Sequence, residues 1–371
     1  MQLLLPCFVV CLPQAHCSRK RKSCGSVFIA ICAGCRTGMG INMKRVAFFT
    51  IQSALSISST AYAESSRSAS EPLPFVMTII IAGILLLLIV VFFFIWNYKK
   101  NSIIIEAAVK SSKGNVRQNN EDNFFLNGRF MALQDMDNGA TLSQQCMKPL
   151  QIYAVCDGMG GEEAGEEASF IAVENLVELY SSLSHGMDTD VFKKWFIKTS
   201  DNIFQKSQDN RRKSGTTIAC CLWCKPKLYL AHVGDSRIYL FRNDKLTRLT
   251  TDHSEVERMI KMGLITPEEA VQHPKKHIIS QYLGISSTDI QLDPCIVELS
   301  DFQNNDILLL CSDGLTDMLD DNILQQIFTK AESVQQATNL LVKYALKAGG
   351  HDNVTVLCLR YRTKKLAGQK N

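Results

Sequence analysis

Seven strand-like runs, rich in β-branched and aromatic residues, are the feature that most constrains the fold of this 371-residue chain. Between Ile103 and Arg362 they read IIIEAAV, LQIYAVC, TTIACCLWC, KLYLAHV, RIYLF, DILLLCS and NVTVLCLRY. Most are joined by short turns, and short turns connect antiparallel strands, whereas parallel strands need long crossovers. The pattern therefore favours antiparallel sheets over a doubly wound parallel sheet.

Helices are predicted in separate blocks between groups of these strands. The evidence is two apolar stripes at helical spacing, Ala168, Ile171, Ala172, Leu176 and Leu179 in the first, and Ala337, Leu340, Leu341, Tyr344 and Ala345 in the second. Because strands and helices are grouped rather than alternating, the sequence predicts an α+β fold in which helices cover antiparallel sheets.

A different kind of segment precedes this region. Residues 73–96 are apolar and carry no charged side chain, and a helix of that length spans a hydrocarbon core of about 30 Å. Lys99 and Lys100 follow at once, and positive residues mark the cytoplasmic side of a membrane helix. We therefore expect a single-pass anchor in the cell inner membrane, with the remaining chain in the cytoplasm.

The N-terminal residues resemble a targeting signal. Residues 43–63 have a basic start, an apolar middle and the small-x-small end Ala61-Tyr62-Ala63, which is typical of a secretory signal peptide. Residues 1–42 would then be an extra extension or the product of a mis-assigned translation start, and residues 363–371 form a basic tail. The net charge of +4 and the lack of a basic block argue against a nucleic-acid partner.

Acidic residues stand at the ends of several predicted strands. Asp157 and Asp313 each follow an apolar run, Asp352 precedes the last strand, and Glu121 and Asp122 precede an earlier one. If these carboxylates converge, their repulsion raises their pKa values or unfolds the site unless cations neutralise them. The sequence therefore predicts a cation site where the strand ends meet.

The chemistry of the available ligands selects the cation. They are oxygens only, with no HExxH motif and no pair of CxxC motifs, so Mg²⁺ or Mn²⁺ fits and zinc does not. Two such ions about 3.5–4 Å apart activate a water and hold a transferring phosphoryl group. Arg117 could bind that phosphate through two parallel hydrogen bonds.

The motifs of this region also occur in an order typical of one family. They are RxxNED (117–122), DGMGG (157–161), SGTT (214–217), GDSR (234–237), DHS (252–254), SDG (312–314) and GGxDN (349–353). Together they closely resemble the PP2C-type (PPM) metal-dependent protein phosphatases in their bacterial form. The resemblance covers residues 103–362 and implies a four-layer α-β-β-α sandwich of two antiparallel sheets covered by helices.

The resemblance also implies five metal ligands. Asp157 would bridge two ions, each Mn²⁺ or Mg²⁺. The backbone carbonyl of Gly158 and the side chain of Glu121 would bind one of them, and Asp313 and Asp352 would bind the other.

Four further residues match the family's supporting positions. Arg117 would be the catalytic residue that binds phosphate, and Asn120, Asp122 and Asn353 would hold the ligands and metal-bound waters in place. The implied reaction is direct hydrolysis of phosphoserine or phosphothreonine by a metal-activated water, without a phosphoenzyme. Its implied partners are phosphorylated proteins, produced by a serine/threonine kinase.

Two positions depart from the family pattern. Met159 stands where many eukaryotic members carry a proton-donating histidine. Arg212 and Lys213 stand where many bacterial members have an aspartate that helps bind a third metal, so no third ion is predicted there. The segment after Asp252 resembles the family's flap, and its charged residues Glu257, Lys261, Lys275 and Lys276 are predicted to form a solvated face.

Alternative interpretations remain beside this one. Asp135 and Asp137 in QDMDNG partly match the nucleophile motif of haloacid-dehalogenase-type phosphatases, although Gly139 replaces the required Thr or Val and a surface turn is favoured. Asp235 and Arg237 of GDSR are interpreted as a structural turn and a hydrogen-bonding pair. A catalytically silent module that binds phosphoproteins is the alternative from another class.

Overall fold

Between residues 103 and 363, the computed structural model describes twelve strands and seven α-helices. The described residues are 77, 80–81, 83–92, 103–160, 164–183, 189–209, 211, 213–225, 227–286, 288 and 291–363. The extension 1–42, the signal-peptide-like segment 43–63 and all but the first residue of the tail 363–371 lie outside these ranges, as do Gly161 and Arg212.

The strands follow the order in which the sequence predicts them, with additions at the sheet edges. They are β1 (Ile103–Ser112), β2 (Asp122–Leu126), β3 (Ala140–Cys146), β4 (Leu150–Gly160), β5 (Ser214–Thr216), β6 (Ile218–Cys224), β7 (Lys227–Val233), β8 (Arg237–Arg242), β9 (Lys245–Arg248), β10 (Cys295–Leu299), β11 (Ile307–Cys311) and β12 (Val354–Thr363).

The helices occur in three blocks. They are α1 (Ala164–Ser182), α2 (Thr189–Asp209), α3 (Glu255–Lys261), α4 (Pro267–Val271), α5 (Asp313–Thr316), α6 (Asp321–Lys330) and α7 (Val334–Lys347), with a 3₁₀ helix at Leu133–Asn138. Side-chain caps fix the starts of the last two, because Asp320 accepts from the backbone N–H of Ile323 and Ser333 from that of Gln336.

The strands form two sheets in which all described neighbours are antiparallel. The first sheet has the order β3-β1-β12-β11-β8-β9. The second has the order β10-β7-β6-β4-β2, with β5 attached to the end of β4. The prediction of two antiparallel sheets covered by helices is confirmed.

Three apolar clusters stack the layers. In β4, Ile152, Ala154 and Cys156 pack against α1 and α2, while Tyr153 and Val155 point into a second cluster between the sheets. A third cluster lies between the first sheet and helices α5, α6 and α7. This alternation along the strand is what two buried faces require, and it gives the order helices, sheet, sheet, helices.

The register of the strands brings their acidic ends together. Asp122 at the start of β2 is paired with Asp157 near the end of β4. In the other sheet, the end of β11 pairs with the start of β12, so Asp313 and Asp352 flank the same edge. Antiparallel neighbours always place the end of one strand beside the start of the next, and here that rule places four acidic segments at one end of the sandwich.

The predicted membrane segment is described only in part. Of residues 73–96, the structure describes 77, 80–81 and 83–92, and all of these are helical and exposed. Within the described residues, the structure contains no helix that is both long enough and apolar enough to cross a membrane.

Candidate active site

A cleft of about 610 Å³ lies at the end of the sandwich where the strand ends meet. Among the described residues that line it, Arg117 is the one arginine and Lys276 the one lysine. Six carboxylates also line it, and they belong to Glu121, Asp157, Asp235, Asp313, Asp317 and Asp352. The structure therefore brings the four predicted acidic segments into one cleft and adds two further aspartates.

Backbone hydrogen bonds from the SGTT motif hold Asp157 in place. The carbonyl oxygen of Asp157 accepts from the backbone N–H of Thr217 and from Oγ1 of Thr216, both at 2.8 Å. Its own N–H donates to Oγ1 of Thr217 at 3.2 Å. These bonds fix the backbone of Asp157, whose side chain lines the cleft.

Gly158 lies where no side chain fits. A Cβ atom there would lie 2.2 Å from the carbonyl oxygen of Gly165 and 2.4 Å from that of Glu121. Its N–H donates to the Glu121 carbonyl at 3.1 Å. At Gly165, a Cβ would meet the Glu121 carboxyl carbon at 2.6 Å. The glycines of this turn therefore let the backbone approach the Glu121 carboxylate closely.

Asn353 connects the two sheets behind the cleft. Its Oδ1 accepts from the backbone N–H of Glu121 at 2.8 Å, and its Nδ2 donates to the carbonyls of Lys113 and Asn119, both at 2.9 Å. Its backbone N–H donates to Oδ1 of Asp352 at 2.8 Å. One buried amide thus fixes two of the predicted metal ligands, as its supporting role requires.

Asp122 lies behind the cleft and is fully buried. Its Oδ2 accepts from Oγ of Ser312 at 2.8 Å, while its Oδ1 has no hydrogen-bond partner among the described residues. Burial raises the pKa of Asp122 to about 8, and the carboxylates of Asp313 and Asp352 add to the effect. An unpartnered buried oxygen beside the cleft is a position that an ion-bound water would satisfy.

Asn120 lies behind the cleft, next to Glu121 in the chain. Its Nδ2 donates to Oγ of Ser111 at 3.1 Å and to the carbonyl of Met136 at 2.9 Å, and it does not line the cleft. Its backbone N–H donates to Oδ1 of Asp137 at 2.8 Å. The contacts of Asn120 hold the loop that carries Glu121.

Arg117 lies at the mouth of the cleft. Its Nη2 donates to Oδ2 of Asp352 at 2.7 Å, and its side chain is half exposed. A guanidinium has five N–H donors, so this single bond leaves donors for an oxyanion in the cleft.

The cleft carboxylates disfavour one another's ionised form. Burial, and then the carboxylate of Glu166, raise the pKa of Glu121 to about 7. Burial, and then Asp317 and Asp352, raise the pKa of Asp313 to about 6. For Asp157, burial and the surrounding aspartates raise the pKa well above its ordinary value. Cations that bind to such a cluster of repelling carboxylates neutralise their charge and stabilise the protein.

The residues present fit divalent ions with a preference for oxygen. The carboxylates of Glu121, Asp157, Asp313 and Asp352 share the cleft, and the backbone of Gly158 closely approaches Glu121. The unpartnered Oδ1 of Asp122 lies behind them. This donor set suits Mg²⁺ or Mn²⁺.

The structure places several residues in the cleft that the sequence interpretation did not assign to it, Asp235, Asp317, Lys276 and His277 among them. Asp235 lines it, whereas its expected partner Arg237 is bonded to Asp252. Asp317 lines it as well, one helical turn after Asp313. Lys276 and His277 line it too. The Lys276 side chain is 37% exposed, so it is solvated, as predicted, but it also faces the cleft.

The haloacid-dehalogenase-like motif lies elsewhere. Asp135 and Asp137 belong to the exposed 3₁₀ helix Leu133–Asn138, and neither lines the cleft. Asp137 caps the backbone N–H of Asn120. This geometry agrees with the surface turn that the sequence favours.

Comparison with known proteins gives the same result as the geometry. Residues 108–263 match the family model described as "Protein phosphatase 2C". The chain is 31% identical over 259 residues to the serine/threonine phosphatase stp of Listeria innocua, covering 68% of this chain and 94% of that protein. It is 35% identical over 261 residues to protein phosphatase PhpP of Streptococcus pneumoniae. That match covers 68% of this chain and 96% of PhpP.

A solved structure extends the similarity to the fold. The catalytic domain of serine/threonine protein phosphatase PstP, in complex with two manganese ions, superposes with a TM-score of 0.56 at 29% identity. The match covers 70% of this chain and 99% of that domain. With this similarity, and with an acidic cleft at the meeting point of two antiparallel sheets, the chain belongs to the protein phosphatase 2C family.

Proposed function

We propose that the protein hydrolyses phosphoserine and phosphothreonine in proteins, with two Mn²⁺ or Mg²⁺ ions. The observation that carries the proposal is the convergence of Glu121, Asp157, Asp313 and Asp352 from four distant segments onto one cleft. The mutual repulsion of clustered carboxylates destabilises the folded protein, so this arrangement indicates a functional site rather than a structural one.

The resemblance to the family supplies the proposed ligand set, and the cleft brings its members together. Asp157, at the end of β4, would hold both ions, and the Gly158 carbonyl and Glu121 would help to hold one of them. Asp313 and Asp352, which flank the β11 and β12 edge, would hold the other. Bound divalent ions would supply an activated water and neutralise charge on the phosphate.

The chain's own groups orient the substrate. Arg117 is bonded to Asp352 through one nitrogen, and its remaining donors bind phosphate oxygens at the cleft mouth. Met159 also lines the cleft and offers no proton, so the leaving alkoxide takes its proton from water. We propose direct transfer to water, with no phosphorylated residue in between.

The test compares two Asp→Asn variants of the full chain. Wild type and Asp135→Asn should hydrolyse p-nitrophenyl phosphate and a phosphothreonine peptide in the presence of manganese, and Asp157→Asn should not. Acid quenching during turnover of a radiolabelled phosphopeptide should leave the protein unlabelled. Equal rates in wild type and Asp157→Asn would eliminate catalysis at this cleft. Label on Asp135 would establish the dehalogenase-type mechanism instead.

The proposed setting is the inner membrane. An anchor over residues 73–96 is supported by the exposed apolar side chains at positions 83–92, Ile84, Leu85, Leu86 and Leu88 among them, and by the lysines that follow. With the phosphatase domain in the cytoplasm, its substrates would be products of a serine/threonine kinase. Fractionation tests the anchor: the full chain should sediment with membranes, whereas a chain lacking residues 73–96 should not.

A further inference from the structure

An open groove runs between helices α6 and α7, beside the catalytic cleft. Its volume is about 500 Å³, within the range of sites that bind ligands. The residues that define this α6–α7 groove here are Met318, Ile323, Lys330, Leu340, Tyr344 and Lys347.

The apolar wall of the groove consists of side chains that the core does not bury. The predicted stripe on α7 has more apolar residues than the core takes up, because Leu341 and Ala345 are fully buried while Tyr344 is 45% exposed. Ile323 on α6 is 37% exposed and lies on the same groove. Large apolar side chains at adjoining exposed positions are typical of interaction sites.

The groove adjoins the cleft at one lining residue. Met318 lines both of them, and it directly follows Asp317, which lines the cleft. A polypeptide whose phosphorylated residue lies in the cleft can therefore extend past Met318 into the groove.

The charges of the groove have one sign. Lys330 and Lys347 are exposed, and neither forms an ion pair with a described residue. No aspartate or glutamate is found among the described residues that line the groove. Both lysines end their helices, where they complement the helix dipoles. Their ammonium groups favour an acidic occupant.

We propose that the α6–α7 groove binds the substrate polypeptide next to its phosphorylated residue, through an apolar side chain accompanied by aspartate or glutamate. The proposal rests on the phosphatase function given above. Met318 joins the two sites, Tyr344 and Ile323 contact the apolar side chain, and Lys330 and Lys347 bind the carboxylates. The groove then selects among phosphoproteins that the cleft alone treats alike.

The test uses two sets of synthetic phosphothreonine peptides and the full chain in detergent. One set carries a leucine and two glutamates within three to six residues of the phosphothreonine, on either side, and the other carries serine and lysine there. Wild type should prefer the Leu/Glu set in kcat/KM. Lys347→Glu should reduce that preference about three- to fivefold, mainly through KM, because an exposed charge pair is weak and is replaced here by a repulsive one. Tyr344→Ser should reduce it by a similar factor, because it removes the apolar contact.

Lys343→Glu is the matched control. Lys343 is exposed on the same helix and lies outside the groove. Its substitution changes the net charge by the same amount as Lys347→Glu, so the Lys343→Glu variant should keep the wild-type peptide preference. Equal preference for both peptide sets, or an equal effect of Lys343→Glu, would overturn the proposal. So would a matching loss with p-nitrophenyl phosphate, which is too small to reach the groove.

Two further measurements separate the remaining outcomes. Fluorescence anisotropy of the labelled peptides gives the same comparison without turnover, so docking is tested even if the proposed catalysis fails. Manganese-dependent hydrolysis of p-nitrophenyl phosphate by wild type tests the catalysis alone. If sedimentation shows that Tyr344→Ser changes the oligomeric state and peptide preference is unchanged, the groove contacts a second copy of the chain, and the proposal is wrong.

Discussion

Two clusters of charged residues in this protein are built in opposite ways. In the Asp252 cluster, one carboxylate receives hydrogen bonds from two arginines, Arg237 at 2.8 Å and Arg248. In the neighbouring catalytic cleft, six carboxylates face a space lined by one arginine and one lysine among the described residues. Asp235 and Arg237 belong to the same short motif, but Asp235 lines the cleft whereas Arg237 pairs with Asp252.

The difference shows where each cluster obtains its compensating charge. The chain itself supplies the counter-charges of Asp252, so the stability of that cluster does not depend on bound metal. The cleft has an excess of negative charge, which raises the pKa of Asp313 to about 6 through burial and through Asp317 and Asp352. Its compensation has to come from bound cations, which makes stability there depend on the metal concentration.

Asp313→Asn should have the largest effect and separates the clusters most clearly. Activity with p-nitrophenyl phosphate should fall by more than about 100-fold, because losing a metal ligand costs more than losing a residue that only hydrogen-bonds to a ligand. The metal-free protein should become more stable, because one repelling charge is removed. Melting curves with and without manganese measure this. In wild type, manganese at about 100 times its dissociation constant should raise Tm by about 5–10 °C.

In Asp313→Asn the manganese shift should be much smaller. If the variant melts lower than wild type without metal and keeps the full shift with it, the cleft is not stabilised by ions and the contrast with Asp252 fails.

Asp252→Asn should act on stability alone, with no dependence on metal. It leaves two partly buried arginines without a carboxylate, and breaking a buried pair costs up to about 3–5 kcal/mol. Because both arginines retain some exposure, we expect a loss of about 2–3 kcal/mol in the free energy of unfolding. Urea titrations with and without manganese should give the same loss. A loss confined to one condition would show that the two clusters are coupled.

The edges of the sheets mark the limit of what the sequence predicts. The central strands, such as β11 with five buried residues, were evident as apolar runs. The strands β3, β9 and β10 were not in the predicted set, and each lies at the edge of a sheet with no fully buried residue. Edge strands keep polar residues on their open side, so periodicity and hydrophobicity are weak there.

The site shows a similar division. Carboxylates directly at strand ends, such as Asp157 and Asp313, were predictable because antiparallel neighbours bring those ends together. Lys276 and His277 come from a segment with no regular strand or helix, and only tertiary packing places them in the cleft. Asp317 did have a signal, since it follows Asp313 by one helical turn.

Arg117→Lys tests the positive side of the cleft. Lysine keeps the charge but loses the planar pair of donors, so we expect kcat/KM for a phosphothreonine peptide to fall about tenfold. The bond to Asp352 is half exposed, so Tm should change little. A large drop in Tm with unchanged kcat/KM would assign Arg117 to structure, and would make it resemble Arg237 rather than a phosphate-binding group.

Lys198→Ala sets the lower bound of the comparison. Lys198 on α2 and Glu178 on α1 form a 2.7 Å ion pair, with side chains 61% and 65% exposed. In water such a pair gains little, because solvent screens the charges and both side chains lose freedom. We expect a change in unfolding free energy below about 0.5 kcal/mol, measured by the same urea titration used for Asp252→Asn. If this exposed pair contributed as much as the Asp252 cluster, the stability of that cluster could not be attributed to burial and paired arginines.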